Sequence, residues 1–202
     1  MIACRICLKG MVIHMGRINF KPGNMLYPVP AVLVSVGNKK GECNLFTVAW
    51  TGTVCSDPPM VSISVRKSRY SYDMIKETGE FVINLTTKDL AFATDYCGVK
   101  SGRDEDKWQA CKLHKLQSTV VSVPSLRESP VSIECRVKQI LELGTHDMFL
   151  AEVAAVTVDD VYLDENGKFR FLDANPLTYS HGEYFTLGEC IGKFGYSVKK
   201  KS

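Results

Sequence analysis

The stretch "SVRKSRYSY", residues 64–72, gathers Arg66, Lys67, Ser68, Arg69 and Ser71 just before a short amphipathic segment. Hydroxyl donors, guanidinium groups and the free N–H groups of a helix start all favour a phosphate. The same residues describe a solvated basic turn with Ser71 as an ordinary N-cap, and spacing alone leaves both readings open. Upstream, Asn44, Phe46, Val48 and Trp50 share one face of a regular strand. An amide and an indole two pleats apart could meet a flat heteroaromatic ring, or could be a turn asparagine beside a core tryptophan. In "GTHDMFLAEV", residues 144–153, alternation puts His146 on a face with Met148, Leu150 and Glu152, which also suits a polar residue at a strand end. Lys107, before Trp108, has the sequence surroundings of a surface lysine.

No spacing supplies a catalytic triad, a Walker loop, a G-x-G-x-x-G turn or an H-E-x-x-H helix. Cys4 and Cys7 form a lone C-x-x-C with no second pair to complete a metal site, so no metal is expected. Any phosphate cradle here must be of a different kind, carried by the fold around it.

That fold reads as mainly β. "AVLVSVG" and "CNLFTVAW" flank the turn "NKKGE" as a hairpin. "TGTVCSDPPMVSISV" adds two strands around a break at Pro58 and Pro59, with Val61, Ile63 and Val65 on one face. The period then changes to helical, with Ser71 as the predicted cap and Gly79 as the stop, before "EFVINL" returns to strand. "DLAFATDYCG" reads as a helix closed by its glycine, and "GRDEDKWQAC" as a polar connection into another helical turn. Residues 131–159 form the clearest hairpin, turning at Gly144: Val131, Ile133, Cys135 and Val137 are predicted to face the core, and Ser132, Glu134, Arg136 and Lys138 to face water. Many short strands with a few short helices argue for a closed antiparallel barrel, which removes sheet edges.

The 202 residues suffice for one sizeable domain, and 45% hydrophobic with 23% charged residues is an ordinary globular composition. A net charge of +3 with scattered basic residues names no nucleic-acid partner. No apolar run reaches the roughly 18 residues of a membrane span, so no membrane association is expected. The eight cysteines are dispersed through apolar segments, as in reduced thiols of a cytoplasmic protein. Residues 1–15 read as a poorly ordered extension without a clear cleavage site, and 199–202 as a basic tail.

Taken together, "NMLYPVPAVLVSVG", "NLFTVAWTGTVCSDPPMVSISV", "SRYSYDMIKETGEFVINL", "GTHDMFLAEV" and "GEYFTLG" resemble the flavin-reductase-like, FMN-binding split-barrel family, and its flavoredoxin branch in particular. The resemblance runs over residues 16–198. It implies a six-stranded antiparallel split β-barrel with Greek-key topology and a few short helices, a homodimer, and bound FMN. Carried over position by position, it makes Asn44 and Trp50 flavin-ring contacts and Ser71 a hydroxyl contact, with Ser68 and Arg69 as phosphate partners. Lys107 and His146 fall where flavin contacts occur, as groups that could tune the reduced ring without being assigned catalysts. Tyr179 takes an aromatic position near the cofactor, with Tyr184 as its rival. Thr47 matches a frequent family threonine, although strict alternation turns it away from Asn44 and Trp50 unless a bulge intervenes.

The activity so implied is an oxidoreductase passing electrons through FMN, taken from NAD(P)H or from a redox protein partner and given to a small-molecule acceptor. The cofactor would carry the hard chemistry. An electron carrier, a ferric-complex reductase, and a flavin- or tetrapyrrole-binding module without turnover are the alternatives.

Overall fold

The computed structural model describes residues 16–198 together with the backbone of 5–8 and 11–14, where β1 (Arg5–Leu8) and β2 (Met11–His14) pair as a hairpin. Of the extension expected to be poorly ordered over 1–15 only these two paired strands are described; a role for the Cys4 and Cys7 side chains and the tail over 199–202 lie outside the described residues.

Segments rich in Val, Ile, Thr and Phe suit a pleated, half-buried surface and form most of the remaining strands. These are β3 (Val29–Pro30), β4 (Val32–Gly37), β5 (Cys43–Val48), β6 (Thr51–Ser56), β7 (Pro59–Arg66), β8 (Glu80–Leu85), β9 (Lys115–Leu116), β10 (Ser125–Leu126), β11 (Val131–Glu142), β12 (His146–Val158), β13 (Leu177–Ser180) and β14 (Glu183–Thr186). Helix α1 (Tyr70–Thr78) joins β7 to β8, and α2 (Ala91–Val99) and α3 (Lys107–Ala110) follow β8.

The principal sheet runs β5-β4-β8-β11-β12-β7-β6, antiparallel throughout. The late hairpin β11–β12 fills the gap between β8 and β7, which gives the non-sequential order of a Greek key. Its two outermost strands, β5 and β6, are separated in sequence only by Ala49 and Trp50. One bent run of chain therefore forms both edges, and the Ser64 amide bonds the Trp50 carbonyl at 2.8 Å beside that bend. The order thus counts seven strands, with β5 and β6 as two stretches of that one bent run.

The barrel interior holds Val34, Phe46, Ile63, Phe81, Ile83 and Phe149, and α1 plugs it with Tyr72, Met74 and Ile75. Outside, α2 and α3 cover β4 and β5 through Leu33, Leu45, Ala93, Cys97 and Trp108.

Three local expectations are corrected. The outer face of β11 is not wet in its first half: Ser132 is 3% and Glu134 1% exposed. The segment 119–121 folds over it, with the Thr119, Val120 and Val121 amides and the Thr119 hydroxyl all donating to the Glu134 carboxylate, while Ser132 Oγ donates to Asn84 Oδ1. Ser71 does not cap α1. Arg69 occupies that position with extended backbone and no side-chain cap bond, and Ser71 sits inside the first turn. Helix α2 runs through Gly98 to Val99, because that glycine serves close packing: a Cβ there would lie 3.3 Å from Thr47 Cβ. The predicted stop at Gly79 does hold, with φ 69° and its amide bonded to the Ile75 carbonyl.

Candidate functional site

Strand register builds the first wall. His146 pairs with Arg66, Met148 with Ser64 and Leu150 with Ser62. Asp147, Phe149 and Ala151 point inward and are fully buried, so His146, Met148 and Leu150 share the outer face, as alternation predicts. The His146 Nδ1 lies 2.9 Å from Thr145 Oγ1. Burial, then the positive charges of Arg66 and Arg69, hold its pKa below the ordinary histidine value, so the imidazole is neutral at pH 7.

Beneath it, the Asp147 carboxylate accepts from the Tyr72 hydroxyl and lies 3.5 Å from Lys67 Nζ. The hydrogen bond to Asp147, with burial behind it, pushes the Tyr72 pKa up to about 12. One buried carboxylate thus ties the start of β12 to α1 and to the basic turn.

The second wall is the β5–β6 bend. The β4–β5 ladder is regular to Val48, which leaves Thr47 on the outer face with Leu45, its hydroxyl bonded to the Thr94 carbonyl of α2. It meets the same depression as Trp50 because the chain bends after Val48, not because of a bulge. Helix α2 adds Asp95, Gly98 and Val99, and β13–β14 adds Tyr179 and Tyr184, whose rings lie 5.5 Å apart. Burial, then Asp95, pushes the Tyr184 hydroxyl up to about 12. Tyr27 links Trp50 to Tyr179 at ring separations of 6.1 and 5.9 Å. The result is a depression of about 430 Å³ that contains Thr47, Trp50, Arg69, His146, Tyr179 and the rival Tyr184.

Next to it, and sharing Phe46, Arg66 and Arg69, lies a second depression of about 230 Å³. It holds Ser68, Ser71 and Lys107 from the sequence expectation, and also Lys100 and Arg103. Arg103 donates to the Ser68 carbonyl at 3.0 Å and lies over the Tyr70 ring. Asn44 stands behind this second depression, 4% exposed, donating to Ser71 Oγ at 2.7 Å. It is therefore set apart from the Trp50 pocket, against the simple two-pleat reading. Gly102 makes room for it, since a Cβ there would fall 2.3 Å from Asn44 Oδ1.

Lys107 departs furthest from its sequence surroundings. It is 2% exposed, and its ammonium donates to the Cys97 and Lys100 carbonyls at 3.2 and 3.3 Å, closing the C-terminal end of α2. Burial pulls its pKa below the ordinary lysine value. Sequence reasoning missed Arg103, Gly102 and the α2 residues; "SGR" after a predicted helix end was the available signal.

Cations line one end of this composite cleft and aromatic rings the other, an arrangement that can hold a planar heterocycle bearing an anionic tail. Among the described residues no cluster of His, Cys, Asp and Glu is suited to a metal, and no helix is long and apolar enough to cross a membrane.

Comparison with known proteins agrees with this architecture. The flavoredoxin of Desulfovibrio vulgaris (Miyazaki F) superposes with a TM-score of 0.85 at 29% identity, over 91% of this chain and 100% of that one. A flavoredoxin from Methanosarcina acetivorans superposes with a TM-score of 0.82 at 31% identity, over the same shares of 91% and 100%. An uncharacterised protein of Archaeoglobus fulgidus is 34% identical over 139 residues, 69% of this chain and 77% of its own length. Residues 24–188 match the family described as "Flavin reductase like domain". With that match spanning most of the barrel and both depressions, the chain belongs to the flavin reductase-like family.

Proposed function

We propose that this protein is an FMN-binding oxidoreductase, with the isoalloxazine ring in the Trp50–His146–Tyr179 depression and the phosphate in the basic one. The observation that carries the reading is the continuity of the two depressions through Phe46, Arg66 and Arg69. Bound FMN would supply reversible two-electron chemistry.

The chain's own residues do the rest. Arg66, Arg69, Arg103 and Lys107 offset the phosphate charge, and the Ser68 and Ser71 hydroxyls lie within the same depression. Asn44 fixes Ser71 by its hydrogen bond. Trp50, Tyr179 and Tyr184 offer ring surface to the heterocycle. The neutral His146 can donate a hydrogen bond to the polar edge of the ring, and Arg66 and Arg69 favour any negative charge that develops there. Thr47 helps indirectly, by holding α2 as a wall.

NAD(P)H or a redox protein is the electron source in this reading, and a small molecule the acceptor. A cytoplasmic setting fits the free cysteines. A homodimer is part of the same proposal, and the nearly full exposure of Ile191 (91%) and Phe194 (109%) supports it, since such side chains favour a covering partner.

Titration of the purified protein with FMN and with riboflavin tests the assignment. FMN should bind the more tightly, and Arg69→Ala should weaken FMN by roughly tenfold or more, about 1.4 kcal/mol, while leaving riboflavin nearly unchanged. Equal affinity for the two flavins would remove the phosphate assignment. Anaerobic mixing with NADH or NADPH then separates a reductase, whose yellow colour bleaches, from a carrier, whose colour persists.

A further inference from the structure

Two cysteines that the flavin reading leaves unused come together at the two ends of the α2–α3 loop. Cys97, 1% exposed, lies in the last turn of α2, and the half-buried Cys111 follows α3 as its C-terminal cap. Both are free thiols, and both pack in the cluster of Leu33, Leu45 and Trp108. Lys107 ties their backbones to a single residue: its ammonium donates to the Cys97 carbonyl at 3.2 Å, and its own carbonyl accepts from the Cys111 amide at 3.1 Å. The two thiols lie within hydrogen-bonding reach of each other. Among the described residues no other two cysteines share a packed cluster; Cys135 sits in the barrel interior and Cys190 in exposed chain.

We propose that Cys97 and Cys111 are a reversible redox pair, joined as a disulfide by hydrogen peroxide, that clamps the loop carrying Lys100, Gly102 and Arg103 against the barrel. Its connection to the cofactor rests on the flavin reading, because reduced flavin that meets dioxygen releases hydrogen peroxide, and because this loop lines the basic depression. Cys111 is the thiol that solvent reaches, so it reacts first. Its sulfur attacks one peroxide oxygen, the O–O bond breaks, and the departing hydroxide takes the thiol proton and leaves as water. Cys97 then attacks the sulfenic sulfur of Cys111: the S–S bond forms, the S–O bond breaks, and a second water leaves with the Cys97 proton. Two thiols and one peroxide become one disulfide and two waters, with both electrons passing to the peroxide. A dithiol reductant reverses the step by thiol–disulfide exchange. Burial pushes the Cys97 thiol up to about 12 and raises the Cys111 pKa too, against the hydrogen bond with Cys97 and the charge of Lys107. Both are therefore neutral thiols at pH 7 that stay reduced until peroxide accumulates. Cys97 is closed to reagents from solvent and open to its neighbour.

The test treats the full-length protein with hydrogen peroxide at pH 8, alkylates it with N-ethylmaleimide in denaturant, and maps its peptides without reduction. A disulfide joining Cys97 to Cys111 should appear, and dithiothreitol should remove it. Closing the short loop 97–111 should raise Tm by about 5–10 °C. FMN release should slow severalfold in the oxidised protein, while riboflavin, which has no phosphate for the loop to hold, should leave at its former rate. In Cys97→Ala, dimedone should trap a sulfenic acid on Cys111, and in Cys111→Ser neither that adduct nor the rise in Tm should occur. Peroxide that leaves both thiols free, or that joins either of them to a different cysteine, would overturn the proposal. So would a Cys97–Cys111 disulfide that leaves the release of bound FMN unchanged, because the loop would then be clamped to no effect on the site. Absence of FMN binding with the disulfide formed would sink the flavin reading and leave the redox pair standing; FMN binding without the disulfide would sink the pair alone.

Discussion

Replacing Lys107 by methionine keeps the volume of the side chain and removes its ammonium. The Cys97 carbonyl sits in a buried environment and would lose its donor, at about 1–3 kcal/mol for an unsatisfied group. Lys100 is exposed, so water can replace the bond lost by its carbonyl at little cost. Relief from burying a charge offsets part of the loss. A net destabilisation of about 1 kcal/mol follows, or a fall in Tm of about 2–4 °C for a chain of this size. Because Lys107 pins the end of α2, which walls one depression, and the loop that walls the other, FMN affinity should fall as well. Urea denaturation and flavin titration read the two effects.

The pH dependence sharpens the test. The Lys107 pKa in the folded chain lies below the ordinary lysine value, so between the two the unfolded chain binds more protons. Stability contributed by this site must therefore rise with pH across that alkaline window in the wild type. The difference in unfolding free energy between wild type and Lys107→Met should widen there. A difference that stays flat, or a variant with unchanged midpoint and affinity within about twofold, would refute the buried-clamp reasoning.

Gly102→Ala should displace the Asn44 amide and break its bond to Ser71, so FMN titration should show weaker binding while far-UV circular dichroism stays the same. Glu134→Gln should loosen residues 119–121, raising their hydrogen exchange. Although burial pushes the Glu134 pKa up, the bonds from Thr119, Val120 and Val121 bring it below the ordinary value. Its stabilisation is thus present above the unfolded carboxylate pKa and lost as pH falls through the folded one, and acid titration of the glutamine variant should lack that component. Burial pushes the Cys97 and Cys135 thiols up to about 12, so a thiol reagent at pH 8 should modify exposed Cys190 rapidly and those two only after unfolding.

Local pattern carried much of this molecule. Period-two alternation put His146 on the correct face of β12, and the long hairpin was visible in "VSIECRVKQILEL" and its reply. The errors arose where distant chain segments intervene. Ser71 looks like a cap until Asn44, far upstream, claims its oxygen. Glu134 looks solvated until the segment 119–121 folds over it. Lys107 looks exposed because nothing near it in sequence announces the helix end it closes. Gly98 marks a close approach to Thr47, which sequence alone cannot distinguish from a helix stop. The composite site escaped the same way: its cations come from the basic turn, the α2–α3 loop and α3, and only the fold puts them together.

The bend at Ala49–Trp50 has a consequence for rearranged versions of this chain. Because one run of backbone forms both sides of the seam, new termini placed between β5 and β6 would turn the closed cylinder into an open sheet with two free edges. Termini placed at the Gly144 turn would leave every ladder of the principal sheet intact. Circular permutants cut at these two points should differ in aggregation far more than in composition, and the tryptophan at the seam would report which of them still closes.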